Sequence, residues 1–202
     1  MAYTRLQVRT GPYVVTQGLR NFVLWQSLLE ADFRVSDSKD SLGYLLPEQV
    51  AIAHSALSGW AGAHYLARSL QLKRFAPIAL IVNAESDDAG ERRVLLENSL
   101  SQQADRETFL VMVIAPTIER LLIEPDINIL ERIIKRTLSE TERQRARNAP
   151  QRYLIEQVVG VAHGFDAYMA DLYRRNKAVL RELRRTDEYL RLREFLETFT
   201  DV

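Results

Sequence analysis

The sequence predicts an α/β fold: a Rossmann-like three-layer sandwich with a mostly parallel sheet and a helical C-terminal extension. Three observations carry this. Ile78–Val82 and Thr108–Ala115 are unbroken apolar runs of strand length, the pattern of strands buried on both faces. Segments with helical periodicity alternate with them, as βαβ units require. After Pro125 the strand signals stop and helical patterns run on towards the C-terminus.

In chain order, residues 3–10 read as a short edge strand or an arm, and Gly11-Pro12 as a turn. Tyr13–Thr16 is a short β-rich run, and Gly18 lets the chain leave it sharply. Leu19, Phe22, Val23, Gln26 and Leu29 mark one face of a helix to about Ala31. Phe33–Val35 suits the next strand and Ser36–Ser41 a polar loop. Pro47 suits a first helical turn, with Val50, Ala53 and Leu57 following at helical spacing. Trp60–Leu72 is a clear helix, followed by the buried strand at Ile78–Val82. Glu91–Leu100 is a helix with Val94, Leu95 and Leu100 expected inward. Thr108–Ala115 is the last strand, and Pro116 opens a helical turn carrying Ile118, Leu121 and Leu122.

Beyond Pro125, Ile127–Leu138 is helical, and Ser139-x-x-Glu142 has the form of a capping box that starts another turn or two. Arg143–Pro150 is polar and expected to be exposed. Tyr153–Tyr173 reads as one long amphipathic helix, and Ala178–Arg185 with Asp187–Phe199 as one or two more. The composition shift divides the chain into an α/β domain over 1–124 and a helical extension over 125–202, expected to pack on it.

Lysines plus arginines equal aspartates plus glutamates, 27 each, so no global field draws nucleic acid or membrane to the chain. With no cysteine, disulfides, thiolate zinc sites and a cysteine nucleophile are excluded. The N-terminal residues lack an apolar signal core, and no run of about 18 apolar residues exists. A soluble cytoplasmic protein without membrane association is the expectation. No P-loop, G-x-G-x-x-G or G-x-S-x-G pattern occurs. His54, His64 and His163 do not fall at metal-ligand spacing. Gly59-Trp60-Ala61-Gly62 reads as a place of close helix–sheet packing. Arg174, Arg175, Lys177, Arg181, Arg184 and Arg185 form the densest basic run; interleaved acids make it read as a solvated helix face rather than a phosphate track.

The chemistry should gather where the apolar strands end, because ligands in open α/β sheets sit at the carboxyl edge. The first strand ends in Val14-Val15-Thr16-Gln17-Gly18, the second in Asn83-Ala84-Glu85-Ser86-Asp87, and the third leads to Pro116-Thr117-Ile118-Glu119. This order, spanning residues 11–124, resembles the Toprim domain, most closely the small Toprim-like nucleases related to the OLD family. That family carries Glu-Gly at the end of its first strand, Asp-x-Asp at the end of a later one and, in several members, Pro-x-x-Glu after the next. The resemblance implies a Rossmann-like sheet whose carboxylates hold magnesium or manganese for phosphodiester chemistry. It places Gln17, Asn83, Glu85 and Glu119 at catalytic positions and Glu85, Asp87 and Glu119 as the remaining metal ligands.

The chain departs from the family at two acids: Gln17 stands for the glutamate and Asn83 for the first aspartate, while Glu85 replaces the second aspartate. Hard divalent cations want anionic oxygen, and an amide is no general base at neutral pH. Amides are nonetheless close in shape to the acids they replace. Each residue also has a plainer reading. Gln17 and Asn83 suit loop closure at a strand end, and Glu85, Asp87, Asp88 and Glu119 suit the start of a helix through its dipole. Three functions follow as expectations. The first is a diverged Toprim-like protein with an impaired metal site, a component of a nucleic-acid or defence system, with nucleic acid or an ATPase as partner and the C-terminal helices as a homodimer seam. The second is an active magnesium- or manganese-dependent nuclease. The third is a non-catalytic α/β interaction domain.

Overall fold

The computed structural model describes residues 11–37, 49–55, 57, 59–85, 87–102, 104–124, 127–159 and 164–200. The elements begin with β1 (Tyr13–Thr16), α1 (Gly18–Leu29), β2 (Arg34–Asp37), β3 (Gln49–His54) and α2 (Gly59–Arg74). Next come β4 (Ile78–Asn83), α3 (Ala89–Ser101), β5 (Phe109–Ile114) and a 3-10 turn at Ile118–Leu122. The helical part holds α4 (Asn128–Ile134), α5 (Glu140–Asn148) and α6 (Pro150–Leu154), a π-helical turn at Ile155–Val159, then α7 (Phe165–Arg175), α8 (Lys177–Leu183) and α9 (Asp187–Glu197).

The five strands form one parallel sheet in the order β2-β3-β1-β4-β5. Strand side chains alternate between two cores, as a period of two dictates. Val14, Ile52, Ala79, Ile81 and Met112 meet α1 and the C-terminal helices on one face. Val15, Ala51, Leu80, Val82 and Val111 meet α2 and α3 on the other. The result is a Rossmann-like three-layer sandwich. Tyr153, Tyr173, Tyr189, Leu192 and Leu196 share the core with Phe22 and Trp25 of α1, so the C-terminal helices cover the α1 face.

The chain leaves β1 through α1 on one face and β4 through α3 on the other, and the two connections lead to opposite edges of the sheet. The strand order therefore switches between β1 and β4, which opens a crevice at their carboxyl ends.

Several expectations are corrected. The helix expected from Pro47 through Leu57 is strand β3 over its described part; Val50 and Ala53 are both buried because the strand is covered on both faces, which imitates helical spacing. In α3 the inward row is Arg92, Leu96 and Leu100, whereas Val94 and Leu95 stand about half exposed, at 51% and 54%. The expected helix over Ile127–Leu138 stops at Ile134, where Lys135 turns left-handed at φ 57°. Past its capping box α5 runs for 9 residues; Gln144, Arg145, Arg147 and Asn148 are exposed as expected, whereas Ala146 and Pro150 are buried. The single helix expected over Tyr153–Tyr173 is broken: α6 widens into the π turn, and α7 starts only after Gly164 at φ 90°. Ser36 and Asp37, expected in the polar loop Ser36–Ser41, end strand β2; the rest of that loop, the arm at 3–10, Pro47, Ser86, Pro125 and His163 lie outside the described residues.

Of the Gly59–Gly62 motif expected at close helix–sheet packing, Gly59 would meet nothing within 4 Å, whereas Gly62 lies close to the connection that follows β3. A Cβ there would come within 2.7 Å of Ser55 Oγ and of the Leu57 side chain.

Candidate functional site

The site begins with the sharp exit from β1. Gly18 takes φ 72°, a left-handed value open to glycine, so α1 starts directly behind the strand. Gln17 is thereby held at the sheet edge, its N–H donating to Ile81 O at 3.1 Å and continuing the β1–β4 ladder. The first turn of α1 then projects Gln17, Arg20 and Asn21 to one side, the i, i+3, i+4 relation.

On the β4 side, pairing with the β5 segment also continues past the strand. Ala84 N–H donates to Ile114 O and Glu85 N–H to Pro116 O, both at 2.8 Å. Glu85 sits at φ 58°, a strained value for a residue with a Cβ. This backbone holds Asn83 buried and lifts the Glu85 carboxylate to the surface.

The Gln17 amide bridges the crevice. Its Oε1 accepts the Asn83 N–H at 2.9 Å, and its Nε2 donates to Glu85 Oε1 at 2.7 Å. The backbone N–H identifies which end of the amide is oxygen, so the other end must be the donor. A glutamate at this position would still accept from Asn83 but would set a carboxylate against a carboxylate. Behind the bridge, Asn21 Nδ2 donates to Asn83 Oδ1 at 3.4 Å.

The other expected ligands turn to arginines. Asp87 pairs with Arg92. Arg92 is a buried side chain of α3, and its Nη1 donates to the carbonyls of Asn83 at 2.9 Å and Ala84 at 2.7 Å. Its guanidinium also lies 5.0 Å from the Trp60 ring centre. Glu119 is fully buried and accepts from Arg20 Nη1 at 2.5 Å. Arg20 also reaches Asp166 at 2.7 Å and sits over Phe165. Glu119 Oε2 has no hydrogen-bond partner among the described residues. Its charge and, above all, burial push the Tyr173 hydroxyl well above the usual phenol range. Asp88 serves as the N-cap of α3, accepting from Glu91 N–H at 2.9 Å.

The structure thus joins Gln17, Asn83 and Glu85 directly and ties Glu119 to the same helical turn through Arg20. Arg20, Asn21 and Arg92 complete this network and are not apparent from the motifs; the helical spacing of Arg20 and Asn21 from Gln17 is the one signal that points to them. Among the described residues no three His, Cys, Asp or Glu side chains group to hold a metal. Asp87 and Glu119 are each paired with an arginine, and Glu85 with the Gln17 amide. His54 packs edge-on against Phe22 at 5.0 Å, and His64 Nε2 lies 3.0 Å from Ser99 Oγ, so both act in helix and sheet packing. Among the described residues, no helix is long and apolar enough to cross a membrane.

Neither a protein-family model nor a curated protein matches the chain. Two solved structures resemble it, both of the C-terminal region of the Xanthomonas campestris pv. campestris OLD protein, one phased with platinum and one with iodine. The first has a TM-score of 0.41 and 12% identity, covering 92% of this chain and 96% of that one. The second has a TM-score of 0.40 and 12% identity, covering 92% and 98%. The likeness is a distant one of fold and carries no weight for function.

Proposed function

We propose that the chain is a diverged Toprim-like module whose strand-end crevice has changed from a cation cradle into a self-satisfied hydrogen-bond network, and that it acts as a non-catalytic binding component of a nucleic-acid-related system. The observation that carries this reading is the 2.7 Å bond from the Gln17 amide to Glu85. A side chain that donates to the carboxylate occupies the place where a cation would otherwise gather it. The order of the strand-end motifs supports the Toprim-like part of the reading. The arginine partners of Asp87 and Glu119 support the loss of chemistry, since each supplies from within the protein the positive charge that a metal would bring.

The test is calorimetric titration with manganese. The natural chain should show no saturable binding. The double variant Gln17→Glu/Asn83→Asp, which restores two carboxylates, should bind manganese saturably. Manganese-dependent cleavage of an oligonucleotide by the natural chain, lost on Glu85→Ala, would overturn the reading in favour of an active nuclease.

A further inference from the structure

The basic run at 174–185 divides in two on the structure. Arg175 pairs with Asp171 within α7 at 2.6 Å, and Arg185, just past the end of α8, with Glu182 at 3.1 Å. Arg174, Lys177, Arg181 and Arg184 instead line one cavity of about 820 Å³ between the C-terminal end of α1 and the α7–α8 segment. Lys177, Arg181 and Arg184 fall on one side of α8 at spacings of four and three residues, and Arg174 joins them from the end of α7, across the break at Asn176. Arg174, Arg175, Lys177, Arg181 and Arg185 are exposed, as a solvated face requires, and Arg184 is half-buried; the structure adds that four of the six share one cavity.

Glu30 is the one carboxylate among the described residues of this lining, so four cations face one anion, a formal excess of three positive charges. Arg184 Nε donates to Leu28 O at 3.3 Å, which ties it to the end of α1. No hydrogen bond or ion pair engages Arg174, Lys177 or Arg181 among the described residues. Like charges at three- and four-residue spacing on helices repel one another. A bound polyanion would relieve that repulsion. Guanidinium groups present paired donors that match phosphate oxygens. The volume lies within the range of about 300–1,000 Å³ typical of small-ligand sites. No aromatic side chain is among the described residues of the lining, so none of them stacks on a base.

We propose that this cavity binds a compact ligand carrying two or more phosphate groups, and that it reads the phosphates rather than an attached sugar or base. The site lies on the α1–α8 side of the molecule and is independent of the crevice reading; metal affinity tests one and polyphosphate affinity the other.

The experiment is calorimetric titration of the full chain with sodium tripolyphosphate at low ionic strength. One saturable site is expected, weakened by added salt. The Lys177→Gln/Arg181→Gln variant should lose about tenfold or more in affinity, while Arg175→Gln/Arg185→Gln should leave it unchanged. Glu30→Gln removes the opposing carboxylate and should tighten binding, a gain that a misfolded variant cannot mimic. Adenosine triphosphate and tripolyphosphate should bind alike. The proposal is overturned by an absence of saturable binding, by equal losses in both double variants, by no gain in Glu30→Gln, or by a clear preference for the nucleotide. A single-stranded oligonucleotide that displaces tripolyphosphate and binds several protein chains would also overturn it, in favour of a nucleic-acid track.

Discussion

Two regions of this molecule treat charge in opposite ways. At the crevice between β1 and β4 every acid has been answered: Glu85 by an amide, Asp87 and Glu119 by Arg92 and Arg20. In the cavity between α1 and α8, cations outnumber acids by four to one and three of them have no protein partner among the described residues. Both regions are built from helix ends and strand-linked turns, so architecture alone does not separate them. The difference lies in what each leaves unmatched. A matched, buried network contributes rigidity and resists change. An unmatched, open one keeps its electrostatic free energy available for a ligand.

The largest expected effect breaks the matched side. Glu119 is buried at 1% side-chain exposure, and Arg20 is its only hydrogen-bond partner among the described residues. Arg20→Met leaves that charge stranded and should cost about 3–5 kcal/mol of stability in urea unfolding. Adding Glu119→Leu should recover most of the loss, because no uncompensated charge then remains. If the single variant were as stable as the natural chain, the pair would not be holding the crevice, and the contrast between the two regions would fail.

Arg92 gives the next largest effect and tests whether the backbone of the crevice needs its arginine. Arg92→Met removes the donor to two buried carbonyls at the turn after β4 and should cost about 2–3 kcal/mol. Because those carbonyls belong to Asn83 and Ala84, the change should also loosen the Glu85 turn. Faster amide hydrogen exchange at Ala84 and Glu85 than at β5 residues would report it. A loss of stability with exchange at Ala84 and Glu85 unchanged would place the role of Arg92 in packing against Trp60 instead.

The sequence made the sheet legible where strands are long and apolar, and at its edge where polar residues arrive abruptly. β4 up to Asn83 and β5 throughout are apolar because both faces are covered, and the Gln17–Asn83 convergence follows from parallel strands ending side by side. The reading failed where burial hid periodicity, as at Val50–Ala53, and where a charged side chain took an inner position, as Arg92 does in α3. Arginine is ordinarily an outward residue, so Val94 and Leu95 were the natural choice for the inner face. The Arg20–Glu119 pair joins residues 99 apart in sequence, which no local pattern encodes. The same holds for the cavity: the basic run is plain in the sequence, but only the packing of α1 against α7 and α8 brings four of its six cations to one cavity.

The smallest effect comes from a matched pair at the surface, and it asks whether matching or burial sets the energy. The capping box of α5 ties Ser139 to Glu142, and Arg136 reaches the same carboxylate at 2.7 Å. Arg136 first, and then the Ser139 backbone and hydroxyl, hold the Glu142 carboxyl down from 4.5 to about 2. A depressed carboxyl stabilises the fold above its unfolded value and loses that contribution as the pH falls from 4.5 toward 2. Ser139→Ala should cost about 1 kcal/mol at neutral pH through the lost cap, and less at pH 2, where the carboxylate it helps to hold is itself being protonated. Unfolding curves at the two pH values check this. A Ser139→Ala penalty at neutral pH equal to that of Arg20→Met would mean that burial is not what makes the crevice pairs strong, and the distinction between the two kinds of matched charge would collapse.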